Sequence, residues 1–158
     1  ELIYVFTKAN ADIGGAFINQ VLQEFCEIHE NCYLFDSLGS RKYLSMLAGC
    51  KVVIGNSSSG IYEAPAFRIP TINIGNRQNG RVKAKSIVDC KPNKEEIVKA
   101  IKMVQSNSFT KKLKNMKIPF EGGKTAEKIL EKIVQVVENK INLQNGFYDI
   151  YFKTYIEK

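Results

Sequence analysis

The run from Val52 to Arg81, VVIGNSSSGIYEAPAFRIPTINIGNRQNGR, holds the residues best suited to chemistry. An apolar stretch, Val52 to Ile54, gives way to Gly55, Asn56, Ser57, Ser58, Ser59 and Gly60, none of which has a bulky side chain. Small residues let a ligand approach the backbone, and a helix that starts there points unpaired N–H groups outward. The chemistry is that of holding phosphate; an ordinary serine-glycine loop is the plain alternative. Arg77 and Arg81 stand in a glycine-rich loop after a second apolar stretch, Thr71 to Ile74. Arginine forks match phosphate oxygens two at a time. Glu63 falls one helical turn past the serines, where a carboxylate would repel phosphate but could accept hydrogen bonds from sugar hydroxyls. A solvated surface glutamate is the alternative, and both arginines could equally be surface charges. Arg77 is the better ligand candidate, because Gly75, Asn76, Gln78 and Gly80 around it suit a turned loop and offer little packing.

Other chemistries find no support. The P-loop pattern GxxxxGK[ST] and the dinucleotide fingerprint GxGxxG are absent, as are the GxSxG elbow and HExxH. One histidine, His29, serves the whole chain, and its place between Glu27 and Glu30 at a helix end reads as solvated. Cys26, Cys32, Cys50 and Cys90 have no metal-ligand spacing, so the expectation is reduced thiols, no metal and no cofactor. No segment spans a bilayer and no signal peptide is present, which points to a soluble, cytoplasmic protein with no membrane partner. The net charge of +7 favours an anionic partner, but the lysines are spread along helices, so nucleic acid is not demanded and is not the expected partner.

These residues need a frame to hold them. The 158 residues suit one domain. Strands are expected at Leu2–Phe6, Cys32–Phe35, Val52–Ile54, Thr71–Ile74 and Ser86–Val88. Between the first two, Asp12 could cap a helix with Phe17, Val21, Leu22, Phe25 and Ile28 on its inner face. Ser40 would cap a second helix, with Tyr43, Leu44, Leu47 and Ala48 inward and Gly49 as its left-handed stop. Pro65 keeps the helix after the serines short. Asn93 and Glu96 start another as a capping box, with Ile97, Val98, Ile101 and Val104 buried. Ser106–Lys117 suits a surface helix, and Ala126, Ile129, Leu130, Ile133, Val134 and Val137 stripe the last one. Strand and helix alternate throughout, giving an α/β fold: an open parallel Rossmann-like sheet with helices on both faces. Ligands in such sheets sit at the carboxyl ends of the strands, where the serine turn and the arginine loop both fall.

The motif resembles the signature of the UDP-N-acetylglucosamine 2-epimerases, in particular the hydrolysing, sialic-acid-pathway branch. NADIGG, SLGSRKYLSML, GNSSSGIYEAPAFRIPTINIGNRQNGR, GKTAEKI and FYD carry the likeness over most of the chain. The resemblance implies the second half of a GT-B (glycogen phosphorylase/glycosyltransferase-like) two-domain enzyme, with residues 1–146 as the UDP-binding domain and 147–158 as a tail. The aromatic tail would pack on its own domain or dock on a missing N-terminal domain. The absence of an initiating methionine also reads as a piece of a longer chain. By the resemblance, Ser57 and Ser58 would hold the diphosphate of UDP or UDP-GlcNAc, Ser59 and Gly60 would shape the turn, Glu63 would hold the ribose, and Arg77 would face the phosphates. Arg81 matches a second motif arginine, and main chain near Phe35–Leu38 would hold the uracil. The implied reaction turns UDP-GlcNAc and water into N-acetylmannosamine and UDP, with its acids and bases outside this chain. A related diacetamido-sugar nucleotide, a non-catalytic nucleotide-sugar module and a glycosyltransferase half-domain are the other readings. The full-length form could be a homo-oligomer.

Overall fold

The computed structural model describes residues 2–10 and 12–138. These fall into two compact units that divide after Phe120. The first alternates strand and helix: β1 (Tyr4–Thr7), α1 (Gly15–Glu27), β2 (Cys32–Phe35), α2 (Gly39–Gly49), β3 (Val53–Gly55), α3 (Ser59–Tyr62), a 3-10 turn (Ala64–Phe67), β4 (Thr71–Ile74), β5 (Ile87–Cys90), α4 (Lys94–Val104) and α5 (Asn107–Lys114). The second contains α6 (Thr125–Glu138). The expected order of elements is met, with strand ends shifted by a residue or two.

Among the described residues every strand pair is parallel, as helical crossovers require. The pairing forms two ladders, β1–β2 and β3–β4–β5, where one continuous sheet was expected. β3 is only three residues long, and its ladder goes to β4. β4 is the central strand: Thr71, Ile72 and Asn73 are all but fully buried. Its register sets Gly55 beside Asn73 and Asn73 beside Asp89, a row across the carboxyl ends of three strands.

The main core lies on this second ladder. Ile72, Cys90, Ala100, Val104, Phe109, Leu113, Met116 and Ile118 pack together, with Ile97 and Ile101 against them. The short surface helix expected after Ser106 forms as α5, and Phe109 and Leu113 bury its apolar face. Arg68, in the left-handed region at φ 57°, closes the 3-10 turn. Its guanidinium donates to the carbonyls of Leu113, Lys114 and Met116, where α5 ends and its carbonyls need partners.

Caps divide into those that follow local signals and those that do not. The Asn93 side chain accepts from the Glu96 N–H at 2.9 Å, as expected, and Ser106 does the same for Phe109. Asp12 is not the side-chain cap of α1; the helix enters through Gly14 at φ 86°, and only the Asp12 carbonyl bonds Gly15. Likewise α2 starts after Leu38 rather than Ser40 and runs through Gly49 into an extended Cys50. The inner faces also differ. Phe17, Val21 and Phe25 of α1 are exposed, as are Ile28 just after it, Leu44, Ala48 and Val98 and the whole stripe of α6. The tail, 147–158, and the boundary at 146 lie outside the described residues.

Candidate functional site

The serine turn exists because β3 ends at Gly55 (φ 151°) and the chain reverses into α3. A four-residue helix is not stable alone. It is fixed by Ile61 and Ala64, both fully buried, and by a close approach to β4. A Cβ on Gly60 would lie 2.7 Å from Thr71 Cγ2, and the Thr71 hydroxyl donates to the Gly60 carbonyl at 3.1 Å. Gly60 is thus a packing glycine, buried between helix and strand.

The three serines have different duties. The Ser59 hydroxyl is hydrogen-bonded to the Tyr43 hydroxyl of α2. The Ser57 hydroxyl accepts from the Ser59 N–H at 3.3 Å, while the Ser57 and Ser58 carbonyls accept the N–H groups of Gly60, Ile61 and Tyr62. Among the described residues nothing engages the Ser58 hydroxyl or the backbone N–H groups of Ser57 and Ser58, and both residues are exposed. Exposed donors of this kind are available to an anion. Glu63 follows where α3 meets the 3-10 turn, exposed, its carboxylate without a partner among the described residues.

The loop from Gly75 to Ser86 carries the arginines, and it is tied down at several points. Gln78 is 2% exposed and donates through Nε2 to the Asn56 carbonyl at 2.6 Å, joining this loop to the serine turn. The expectation that Gln78 offers little packing is corrected. Arg77, half exposed, lies 3.9 Å from the carboxylate of Asp12 in the β1–α1 loop. The Arg81 guanidinium sits 5.3 Å over the Tyr62 ring, which meets Phe120 edge-on. Arg77 is therefore the more available cation of the two. Farther along, Lys83 donates to both oxygens of Asp89 at 2.8 and 2.9 Å, and the buried Asn73 donates to the same carboxylate at 2.6 Å. Burial pushes the Asp89 carboxyl up, but the Lys83 and Asn73 hydrogen bonds and the Lys83 charge outweigh it, leaving the pKa lowered.

A shallow cavity of about 510 Å³ opens at the ends of β1 and β2, lined by Lys8, Cys26, Leu34, Phe35 and Asp36. Lys8 and Asp36 form an ion pair there. Burial raises the pKa of Cys26, Cys50 and Cys90, so these thiols stay protonated near neutral pH and are poor nucleophiles. No group of three metal-ligating side chains occurs among the described residues, and no described helix is long and apolar enough to cross a membrane.

Sequence reasoning proposed the serines and arginines, and it did not single out Tyr43, Gln78, Asn73 and Asp89, which bond the turn and the loop in place. Only Gln78 carried a signal, its place inside the arginine motif.

A family model described as UDP-N-acetylglucosamine 2-epimerase matches residues 1–134. The chain is 43% identical over 147 residues to the GDP/UDP-N,N'-diacetylbacillosamine 2-epimerase (hydrolyzing) of Campylobacter jejuni, covering 92% of this chain and 38% of that protein. It is 31% identical over 146 residues to the UDP-N-acetylglucosamine 2-epimerase of Neisseria meningitidis, covering 89% of this chain and 37% of the relative. The chain thus spans about two fifths of the length of these relatives. A crystal structure of UDP-GlcNAc 2-epimerase from Neisseria meningitidis bound to UDP-GlcNAc superposes with a TM-score of 0.58 at 12% identity, over 85% of this chain and 44% of that one. That likeness establishes the fold, α/β of the GT-B type.

Proposed function

The chain belongs to the UDP-N-acetylglucosamine 2-epimerase family, and we propose that it forms the UDP-binding half of a hydrolysing enzyme of that family. One observation carries the reading. The free Ser58 hydroxyl, the unengaged N–H groups of Ser57 and Ser58, and the loop that bears Arg77 are joined at the carboxyl ends of β3 and β4 by the Gln78–Asn56 hydrogen bond. Such ends are where ligands bind in open parallel sheets.

In this reading the serine turn and Arg77 hold the diphosphate, and Glu63 accepts from ribose hydroxyls. Gly60 and Ser59 act by holding the turn, and Arg81 through its ring contact rather than on phosphate. The reaction breaks the C1–O bond to UDP with loss of the C2 proton, giving a 2-acetamidoglucal. Water then adds across that double bond with inverted configuration at C2, releasing N-acetylmannosamine from UDP-GlcNAc. Donors preorganised around the leaving diphosphate lower the barrier to the first step. The groups that move protons belong to a further domain, in keeping with the two-fifths coverage of the relatives.

A second reading concerns the sugar alone. The 43% identity to a diacetylbacillosamine 2-epimerase, against 31% to a UDP-N-acetylglucosamine 2-epimerase, favours a UDP-linked diacetamido sugar as substrate.

Calorimetry with UDP tests the site. Ser58→Ala and Glu63→Ala are each expected to weaken binding about tenfold, the worth of one hydrogen bond to a charged group. Binding that ignores both changes would remove the assigned residues from the site.

A further inference from the structure

We propose that Gln78 is a positioning residue, whose buried amide clasps the serine turn to the arginine loop and sets the distance between the groups that meet the diphosphate. The proposal rests on the nucleotide reading above, but it has a test of its own. Gln78 is among the largest fully buried side chains of the chain, yet it is polar. Its Nε2 spends a short hydrogen bond, 2.6 Å, on the carbonyl of Asn56, the residue that opens the serine turn. Its Oε1 is buried with no partner among the described residues. A side chain kept only to fill space would be better as methionine or leucine, which bury no unsatisfied oxygen. The retained cost makes sense if the Nε2 bond is what matters, because local rules of stability are broken most often where a site must be held.

Geometry supports the same view. Arg77 is the immediate neighbour of Gln78, so fixing the Gln78 side chain fixes the backbone from which the guanidinium reaches. Asn56 immediately precedes Ser57 and Ser58. One hydrogen bond therefore couples both walls, which are otherwise separated by α3, the 3-10 turn and β4. A misplacement of an ångström at a preorganised anion site is costly, and loops are where such sites drift.

The test uses the intact protein and two variants. Gln78→Met keeps length and burial but has no donor. Gln78→Glu has no donor while ionised, and it regains an O–H for the Asn56 carbonyl once protonated, which burial favours. Without ligand, hydrogen exchange in segments 56–63 and 75–81 is expected to accelerate together in Gln78→Met, with β1 unchanged. UDP affinity should fall about tenfold or more in Gln78→Met at every pH. In Gln78→Glu it should fall as far at about pH 8 and recover most of the loss at about pH 5.5. Each affinity is taken as a ratio to wild type at the same pH, which cancels titration of the ligand phosphate and other pH effects common to both proteins. Unchanged exchange, affinities within twofold of wild type, or a Gln78→Glu protein no better at the lower pH overturns the proposal. If wild type itself fails to bind UDP, the nucleotide reading falls, and the exchange result alone decides the clasp.

Discussion

A glycine and three serines in a row look interchangeable as text, and the fold assigns each a separate task. Gly60 has no room for a methyl group, because Thr71 Cγ2 would stand 2.7 Å from it. Gly60→Ala is expected to destabilise the chain by about 1–3 kcal/mol, the usual cost of overpacking. Thr71→Ser in the same protein removes the offending methyl while keeping the hydroxyl that bonds the Gly60 carbonyl. Chemical denaturation of the two single variants and the double variant checks this: the double variant should recover much of the loss, and strict additivity would place the clash elsewhere. Ser59→Ala differs from Ser58→Ala in the same way. It leaves the Tyr43 hydroxyl without its partner, so about 1 kcal/mol of stability should go. Ser58→Ala should leave stability unchanged and act on binding alone. The residue types suggest a phosphate-holding set, and the family resemblance alone assigns the turn to Ser59 and Gly60. What holds that turn was not legible, since it depends on Tyr43 and Thr71, which arrive from other elements.

Elements follow the same rule, with local signals readable and tertiary ones hidden. The caps at Asn93 and Ser106 are formed by a side chain and an N–H three residues on, so sequence spacing determines them. Gly49 could stop a helix, but α2 continues through it to bury Leu47 and half-bury Cys50. The arginine loop shows what spacing cannot reveal: its end is moored by a Lys83–Asp89–Asn73 cluster that only the β4–β5 register assembles. That mooring has a pH signature. The folded pKa of Asp89 lies below its ordinary value, so in acid the unfolded chain binds a proton before the folded one does. The cluster's contribution is complete above the ordinary carboxylate pKa of about 4 and is lost as pH falls through the lower folded value. Asp89→Asn removes this term. Urea unfolding at about pH 7 and about pH 3 should therefore show a smaller pH-dependent drop in the variant than in wild type. An identical drop would mean that the cluster does not hold the loop. The gain is modest in size, because the Asp89 side chain is half exposed and solvent screens it.

At the scale of the molecule, the core and the apolar surface are unevenly shared. The buried cluster gathers on β4, β5, α4 and α5, whereas α1 carries Phe17, Ile18, Val21 and Phe25 on its surface and β1 carries Tyr4 and Val5. The periodicity that marked α1 as a helix was sound, but periodicity reports an apolar face and not what covers it. The chain spans about two fifths of its relatives' length, and the reading proposed above is of that whole enzyme. The last prediction belongs to that whole. Given UDP-GlcNAc or a UDP-linked diacetamido sugar, the intact protein is expected to release free UDP together with a 2-epimerised reducing sugar, and solvent deuterium should appear at C2. Deuterium is incorporated because the C2 proton is lost before water adds. The two substrates separate the two readings by kcat/KM, where the preferred sugar should lead by about tenfold or more, since a site built for the extra acetamido group leaves polar atoms unpaired without it. Arg77→Ala should lower kcat for either sugar, because in the proposed reading its contact would strengthen as charge builds on the departing diphosphate. An intact enzyme that interconverts the epimers while UDP stays attached would overturn the hydrolysing assignment and leave the nucleotide site in place.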